Sequence, residues 1–232
     1  MEIVDSPKKE VVVNELINHA LSEVERKYGK GEGDGGIPKS YHNRIHTQDV
    51  VDASENIAQL ALTAGKIQTS DIPLIKIAAS FHDIEQDLGG GLNEKESARL
   101  AEEEMRKTGI FGDDDIRKVK EMIMATIVFF ENGVMKQSAT QDYLTQVITD
   151  ADLANLGKKP DAFWEKAKRL LKEMKKTDNL SREDELAFAK TEIPFLEHHK
   201  FYTPEADILF SHKQENIEFV KEHIKLLEGK TN

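Results

Sequence analysis

Apolar residues recur along this chain at intervals of three and four, and strict alternation is nearly absent, so the pattern predicts helices. Leu16, Ile17, Ala20, Leu21, Val24 and Tyr28 form a first amphipathic stripe, which Gly29 stops. The same spacing predicts helices over Arg44–Ala64, Asp71–Gln86, Asn93–Thr108 and Asp113–Phe130. It predicts four more over Ser138–Asn155, Asp161–Lys175, Arg182–His198 and Pro204–Glu228. The punctuation agrees: Ser70 or Asp71 can cap the third helix, with Pro73 in its first turn. Gly89-Gly90-Gly91, Gly109, Gly157 and Pro160 separate later ones. No repeat or strong linker divides the chain, so residues 1–232 read as one all-α domain of about nine helices.

Two stretches invite a chemical reading and are better explained without one. Residues 29–36 are glycine-laden, but they lack the preceding strand and following Lys-Ser/Thr of a phosphate-cradling loop. They read as a mobile loop beside the next motif. Lys166–Lys176 is rich in Lys and Arg and reads as a solvated helix face. Charge then narrows the function. With 32 Lys plus Arg against 43 Asp plus Glu, the net charge is −11, which argues against nucleic-acid polymers and anionic membranes as partners. There is no cysteine, which excludes disulfides, thiolate nucleophiles and iron–sulfur clusters. No secretory signal or membrane-length apolar run is visible. The expectation is a cytoplasmic protein whose oligomeric state the sequence leaves open.

Of the eight histidines, five have ordinary explanations. His19 and His223 lie within amphipathic helices, His198 and His199 close one, and His212 has no obvious partner in sequence. The others belong to Tyr41-His42-Asn43-Arg44-Ile45-His46 and Phe81-His82-Asp83-Ile84, with Asp150-Ala151-Asp152-Leu153 further on. Imidazole and carboxylate together suit Fe, Mn, Zn, Co or Mg. His82 and Asp83 end an apolar run, where an ionisable pair is costly unless something neutralises it. A divalent cation or a mutual hydrogen bond would each do so.

The ordered set Tyr-His-Asn-x-x-His, His-Asp and Asp-Ala-Asp-Leu resembles the signature of the HD superfamily of metal-dependent phosphohydrolases. The lead motif, with Asp49-Val50 after it, is similar to that of cyclic-nucleotide phosphodiesterases. A closer resemblance, over about residues 28–220, is to the stand-alone bacterial predicted metal-dependent HD phosphohydrolases. It includes Asp87, Asn93-Glu94 with Ser97-Ala98, Ala125-Thr126, the run to Gly157, and Phe201-Tyr202-Thr203. The resemblance implies a compact, multi-helix, phosphodiesterase-like bundle with His46, His82 and Asp83 as metal ligands. Its Ala-Asp…Leu frame favours Asp152 over Asp150 as the fourth ligand, with Asp150 as the alternative and otherwise a supporting or capping residue. His42 resembles the histidine that protonates the leaving oxygen in phosphodiesterases, with a supporting donor as its other reading. Arg44 suits a phosphate clamp or an ordinary surface position, and Asp87 would orient water. Guanosine-tetraphosphate hydrolases of the superfamily carry Glu-Asp where this chain has Gln86-Asp87, which argues against that substrate. Asn93, Glu94 and Ser97 follow three glycines and are expected to cap a helix.

The implied activity is hydrolysis of a phosphate ester or phosphoanhydride of a small molecule of the nucleotide class, with water activated by a divalent metal (Mn, Mg, Fe, Co, Ni or Zn). Asp83 would bridge to any second, loosely held ion. The alternatives are a metal- or nucleotide-binding module without turnover and a di-iron oxygenase. The latter resembles a pattern with two extra histidines before the final Asp, whereas no histidine occurs here between His82 and His198, and Phe129 stands where relatives often carry His.

Overall fold

The structure is a computed structural model; it describes residues 6–29, 38–131, 134–138 and 141–229. The glycine-rich stretch singled out above falls, at 30–37, outside the described residues. Ten α-helices are described: α1 Ser6–Val24, α2 Arg44–Thr63, α3 Asp71–Phe81, α4 Leu92–Thr108, α5 Asp113–Ala125, α6 Tyr143–Asp152, α7 Pro160–Lys175, α8 Arg182–His198, α9 Pro204–Leu209 and α10 Lys213–Leu227. A π-helical turn, Glu25–Gly29, extends α1, and a 3₁₀ turn, Ala154–Gly157, follows α6.

Three sequence expectations need correcting. The helix expected over Asp113–Phe130 stops at Ala125, and the apolar run after it is a strand. Strands β1, Val128–Glu131, and β2, Val134–Gln137, pair antiparallel with Glu131 opposite Val134. A short apolar run has no decisive period, so β-branched and aromatic residues tip it to the pleated form. The third helix ends at Phe81 instead of Gln86, which leaves His82 and Asp83 in the turn that closes it. Finally, Pro204–Glu228 is two helices, because the chain leaves helical geometry at Phe210. That break is packed against Gly157: a Cβ there would overlap the Phe210 carbonyl oxygen, and His212 N–H donates to the Gly157 carbonyl at 3.1 Å.

The core explains how the site is placed. In α3, Leu74, Ile75, Ile77, Ala78, Ala79 and Phe81 are all buried, so most of the helix surface is covered, as a largely apolar helix requires, with Ile72, Pro73 and Lys76 half-buried along one edge. It packs against α1, α2, α4, α5 and α6. Helix α2 presents His46, Val50, Ala53, Ile57 and Ala61 along one buried stripe, which carries His46 inward on the same face as the apolar residues. Asn43 caps α2 by accepting from Ile45 N–H at 2.9 Å. Its amide donates to the carbonyls of Lys39 and Ser40, fixing the entry segment that bears Tyr41 and His42. A second hydrophobic cluster, with Phe163, Trp164, Leu171, Ala189, Leu196 and Val220, is built by α7, α8 and α10. Among the described residues no helix is long and apolar enough to cross a membrane.

Candidate metal centre

Four side-chain atoms from three separate parts of the chain converge beneath the N-terminal end of α2. His46 Nε2 lies 3.2 Å from Asp83 Oδ2 and 3.4 Å from Asp152 Oδ1. His82 Nε2 lies 3.1 Å from Asp83 Oδ2 and 3.5 Å from Asp152 Oδ1. The two imidazole nitrogens are themselves 3.4 Å apart. His46, His82 and Asp83 are buried. The group has the donor set and spacing that can hold one ion.

Two details fit a cation better than a closed hydrogen-bond network. His82 Nδ1 faces the Ala79 carbonyl at 2.7 Å; a carbonyl only accepts, so Nδ1 carries a hydrogen and Nε2 is the nitrogen left to take up a cation, a proton or a metal ion. Asp83 Oδ2 is buried with no hydrogen-bond donor, a costly state that a coordinated ion would relieve. Asp83's other oxygen accepts from the Gln86 amide at 2.6 Å. Burial works against ionising Asp83 and Asp152, yet the neighbouring His82 and His46 outweigh it and hold both carboxyls below their usual range. Burial likewise opposes charge on His82, and the two carboxylates overcome it to raise its affinity for a proton. The centre thus attracts positive charge.

Beside it sits His42. Its Nδ1 donates to Glu173 Oε1 at 2.6 Å, and Glu173 Oε2 accepts the backbone N–H groups of Tyr41 and His42 at 2.8 and 3.0 Å. Burial alone would lower the pKa of His42, but the Glu173 hydrogen bond and the charges of Asp83, Glu173 and Asp152 raise it. The rings of His42 and His46 meet edge to face at 5.7 Å, and the Tyr41 ring packs 4.6 Å from His46. On the other side, Gln137 at the end of β2 donates to Asp152 Oδ2 at 3.4 Å.

The remaining sequence candidates are placed elsewhere. Asp150 is fully buried and accepts from Tyr202 N–H, Thr203 N–H and the Thr203 hydroxyl at 2.7–2.8 Å, anchoring the start of α9. Asp87 pairs with Lys39 at 3.0 Å, and Glu85 with Lys27 and Tyr28. Arg44 is exposed on the first turn of α2. Asn93 accepts from Leu88 and Gly89 N–H, Glu94 from Gly91 N–H, and Ser97 from Glu85 N–H, so all three shape the 85–91 loop. His212, without an obvious partner in sequence, faces Glu215 at 3.0 Å. The Lys166–Lys176 stretch is more than a solvated face. Lys166 pairs with Asp49, Ala167 and Leu171 are core, and Glu173 holds His42. A cleft of about 690 Å³ opens next to the centre; Lys39, Gln86, Asp87, Lys172, Glu173 and Lys176 contribute to its lining.

No protein-family model and no curated protein matches the chain. Solved structures do. The phosphodiesterase domain of the Salpingoeca rosetta rhodopsin phosphodiesterase is similar over 93% of this chain and 82% of that one, with TM-score 0.65 and 17% identity. LmjPDEB1 in complex with IBMX is similar over 95% and 85%, with TM-score 0.58 and 15% identity. The chain has the helical fold of these phosphodiesterase domains, and its buried His46–His82–Asp83 group could hold a metal ion.

Proposed function

We propose that the chain is a metal-dependent hydrolase of small phosphate esters or phosphoanhydrides, of the nucleotide class. The observation that carries this reading is the convergence of buried His46, His82 and Asp83 with half-buried Asp152, one oxygen of Asp83 being left without a hydrogen bond. These four would hold a divalent ion, which supplies Lewis acidity toward a phosphoryl oxygen and acidifies water. The Gln86 amide fixes the rotation of the Asp83 carboxylate, and Gln137 does the same for Asp152. His42, with Nδ1 committed to Glu173, presents Nε2 as the exchangeable position, and its raised pKa keeps a proton there for a departing alkoxide or phosphate oxygen. The phosphodiesterase neighbours support this chemistry by fold.

The test is elemental analysis of untagged protein, followed by a phosphate-release screen of nucleotides with Mn, Mg, Fe, Co and Ni added in turn. Stoichiometric metal and metal-dependent release are expected. Nucleotide binding without release from any substrate would make the chain a binding module instead.

A further inference from the structure

The cleft beside the centre lies one side chain from it on two sides: Gln86 in its wall donates to Asp83, and Glu173 in its wall accepts from His42. At about 690 Å³ it has the size of a small-molecule seat. Its charges are unevenly satisfied. Asp87 is held by Lys39, and Glu173 by the His42 imidazole and two backbone amides. Lys172 and Lys176, one helical turn apart at the end of α7, both line the cleft, and neither forms an ion pair with a described residue; the exposed Asp178 at the same rim offsets one of these two charges and leaves a net positive charge between the lysines. Lys176 also closes α7 at φ +52, as the one non-glycine residue with positive φ among those described. Glycine adopts that conformation freely and lysine does not. A strained backbone that keeps an ammonium group at the rim of a cleft points to a use for the charge.

We propose that this cleft seats a second phosphate group of the substrate, between Lys172 and Lys176, beyond the phosphate that reacts. The proposal rests on the hydrolase reading above and narrows its substrates to compounds whose departing part is itself phosphorylated, such as nucleoside di- and triphosphates or sugar bisphosphates. In a chain of net charge −11, such a polyanion needs local cations to enter. Hydrolysis adds a water oxygen to the reacting phosphorus and breaks its bond to the bridging oxygen. The departing oxygen takes the His42 proton when it leaves as an alkoxide, or leaves as phosphate, and the water proton goes to solvent.

Calorimetric titrations in excess magnesium test this with inorganic phosphate, pyrophosphate and a sugar bisphosphate. They compare the wild type with Lys172→Ala/Lys176→Ala and with the charge-preserving Lys172→Arg/Lys176→Arg. Pyrophosphate or the bisphosphate should bind the alanine variant roughly tenfold more weakly, while inorganic phosphate is unchanged and the arginine variant behaves as wild type. Which of the two binds separates anhydride from ester substrates. Lys176→Gly should raise the melting temperature and still weaken polyanion binding, which a purely helix-closing lysine would not do. Equal affinities in wild type and alanine variant overturn the cleft proposal alone. Failure of inorganic phosphate itself to bind the magnesium-loaded wild type overturns it together with the hydrolase reading.

Discussion

The two oxygens of Asp83 have different surroundings, and nuclearity follows from that difference. Oδ2 faces the two imidazoles, whereas Oδ1 is occupied by the Gln86 amide. Glu85 and Asp87, which would complete a second oxygen-rich site, are engaged by Lys27 and Lys39. We therefore expect at most one tightly bound transition metal per chain and hydrolysis without oxygen consumption; two irons with a mixed-valence paramagnetic signal would contradict this. Gln86→Glu replaces the donor with an acid and should raise the manganese stoichiometry in an equilibrium titration. The two nearby aspartates separate by measurement. Asp152→Asn should lose metal by elemental analysis, and Asp150→Asn should keep it while losing about 1–3 kcal/mol of stability from mismatched donors around a buried group. Burial raises the Asp150 pKa from 3.8 to about 6 despite its hydrogen bonds. A raised acid favours the folded state below 3.8 and loses that contribution as pH climbs through about 6, so Asp150→Asn should flatten this part of a stability–pH curve. At His42 the sign runs the other way for activity. Glu173 raises its pKa, so Glu173→Gln should move the alkaline limb of a pH–rate profile to lower pH. The sequence made His42, His46, His82, Asp83 and Asp152 legible because motifs preserve local spacing. Glu173 was hidden in a lysine-rich helix with its partner 131 residues away, and no local pattern encodes that distance.

Elements were legible where a stripe is long and unclear where a run is short. Helix α2 has five buried positions in register over twenty residues, and its period admits no other reading. The Val128–Phe130 run is too short to declare itself; the informative signal is Asn132-Gly133, the dipeptide that favours a two-residue hairpin. That ribbon matters because it delivers Gln137 to Asp152. The division of α9 from α10 was equally hidden, since its cause is a contact with Gly157 and not a breaker in its own sequence. Gly157→Ala forces a methyl group into the Phe210 backbone and should cost about 1–3 kcal/mol, the usual range for overpacking, read as a lower melting temperature with metal stoichiometry retained.

At the scale of the whole molecule the centre ties together α2, the end of α3 and the end of α6, segments far apart in sequence. An ion bound only by the folded chain stabilises it by mass action, about 2.7 kcal/mol at a hundredfold excess over its Kd. For a chain of this size that corresponds to roughly 5–10 °C in melting temperature, so chelator should lower the transition by that amount, and His82→Ala should abolish the difference. The enclosure of α3 has a further consequence in time. Amide hydrogens in a helix packed against five others over most of its surface exchange with solvent chiefly when the structure opens globally, whereas those held by side chains on a surface loop exchange through small local openings. Residues 74–81 belong to the first class, and Leu88 and Gly89, bonded to the Asn93 side chain, belong to the second. His82 and Asp83 stand between them. Gln86 N–H donates to the hydroxyl of the buried Tyr28 at 2.8 Å, so its exchange rate should report whether the contact with Asp83 Oδ1 opens with the loop or only with the core.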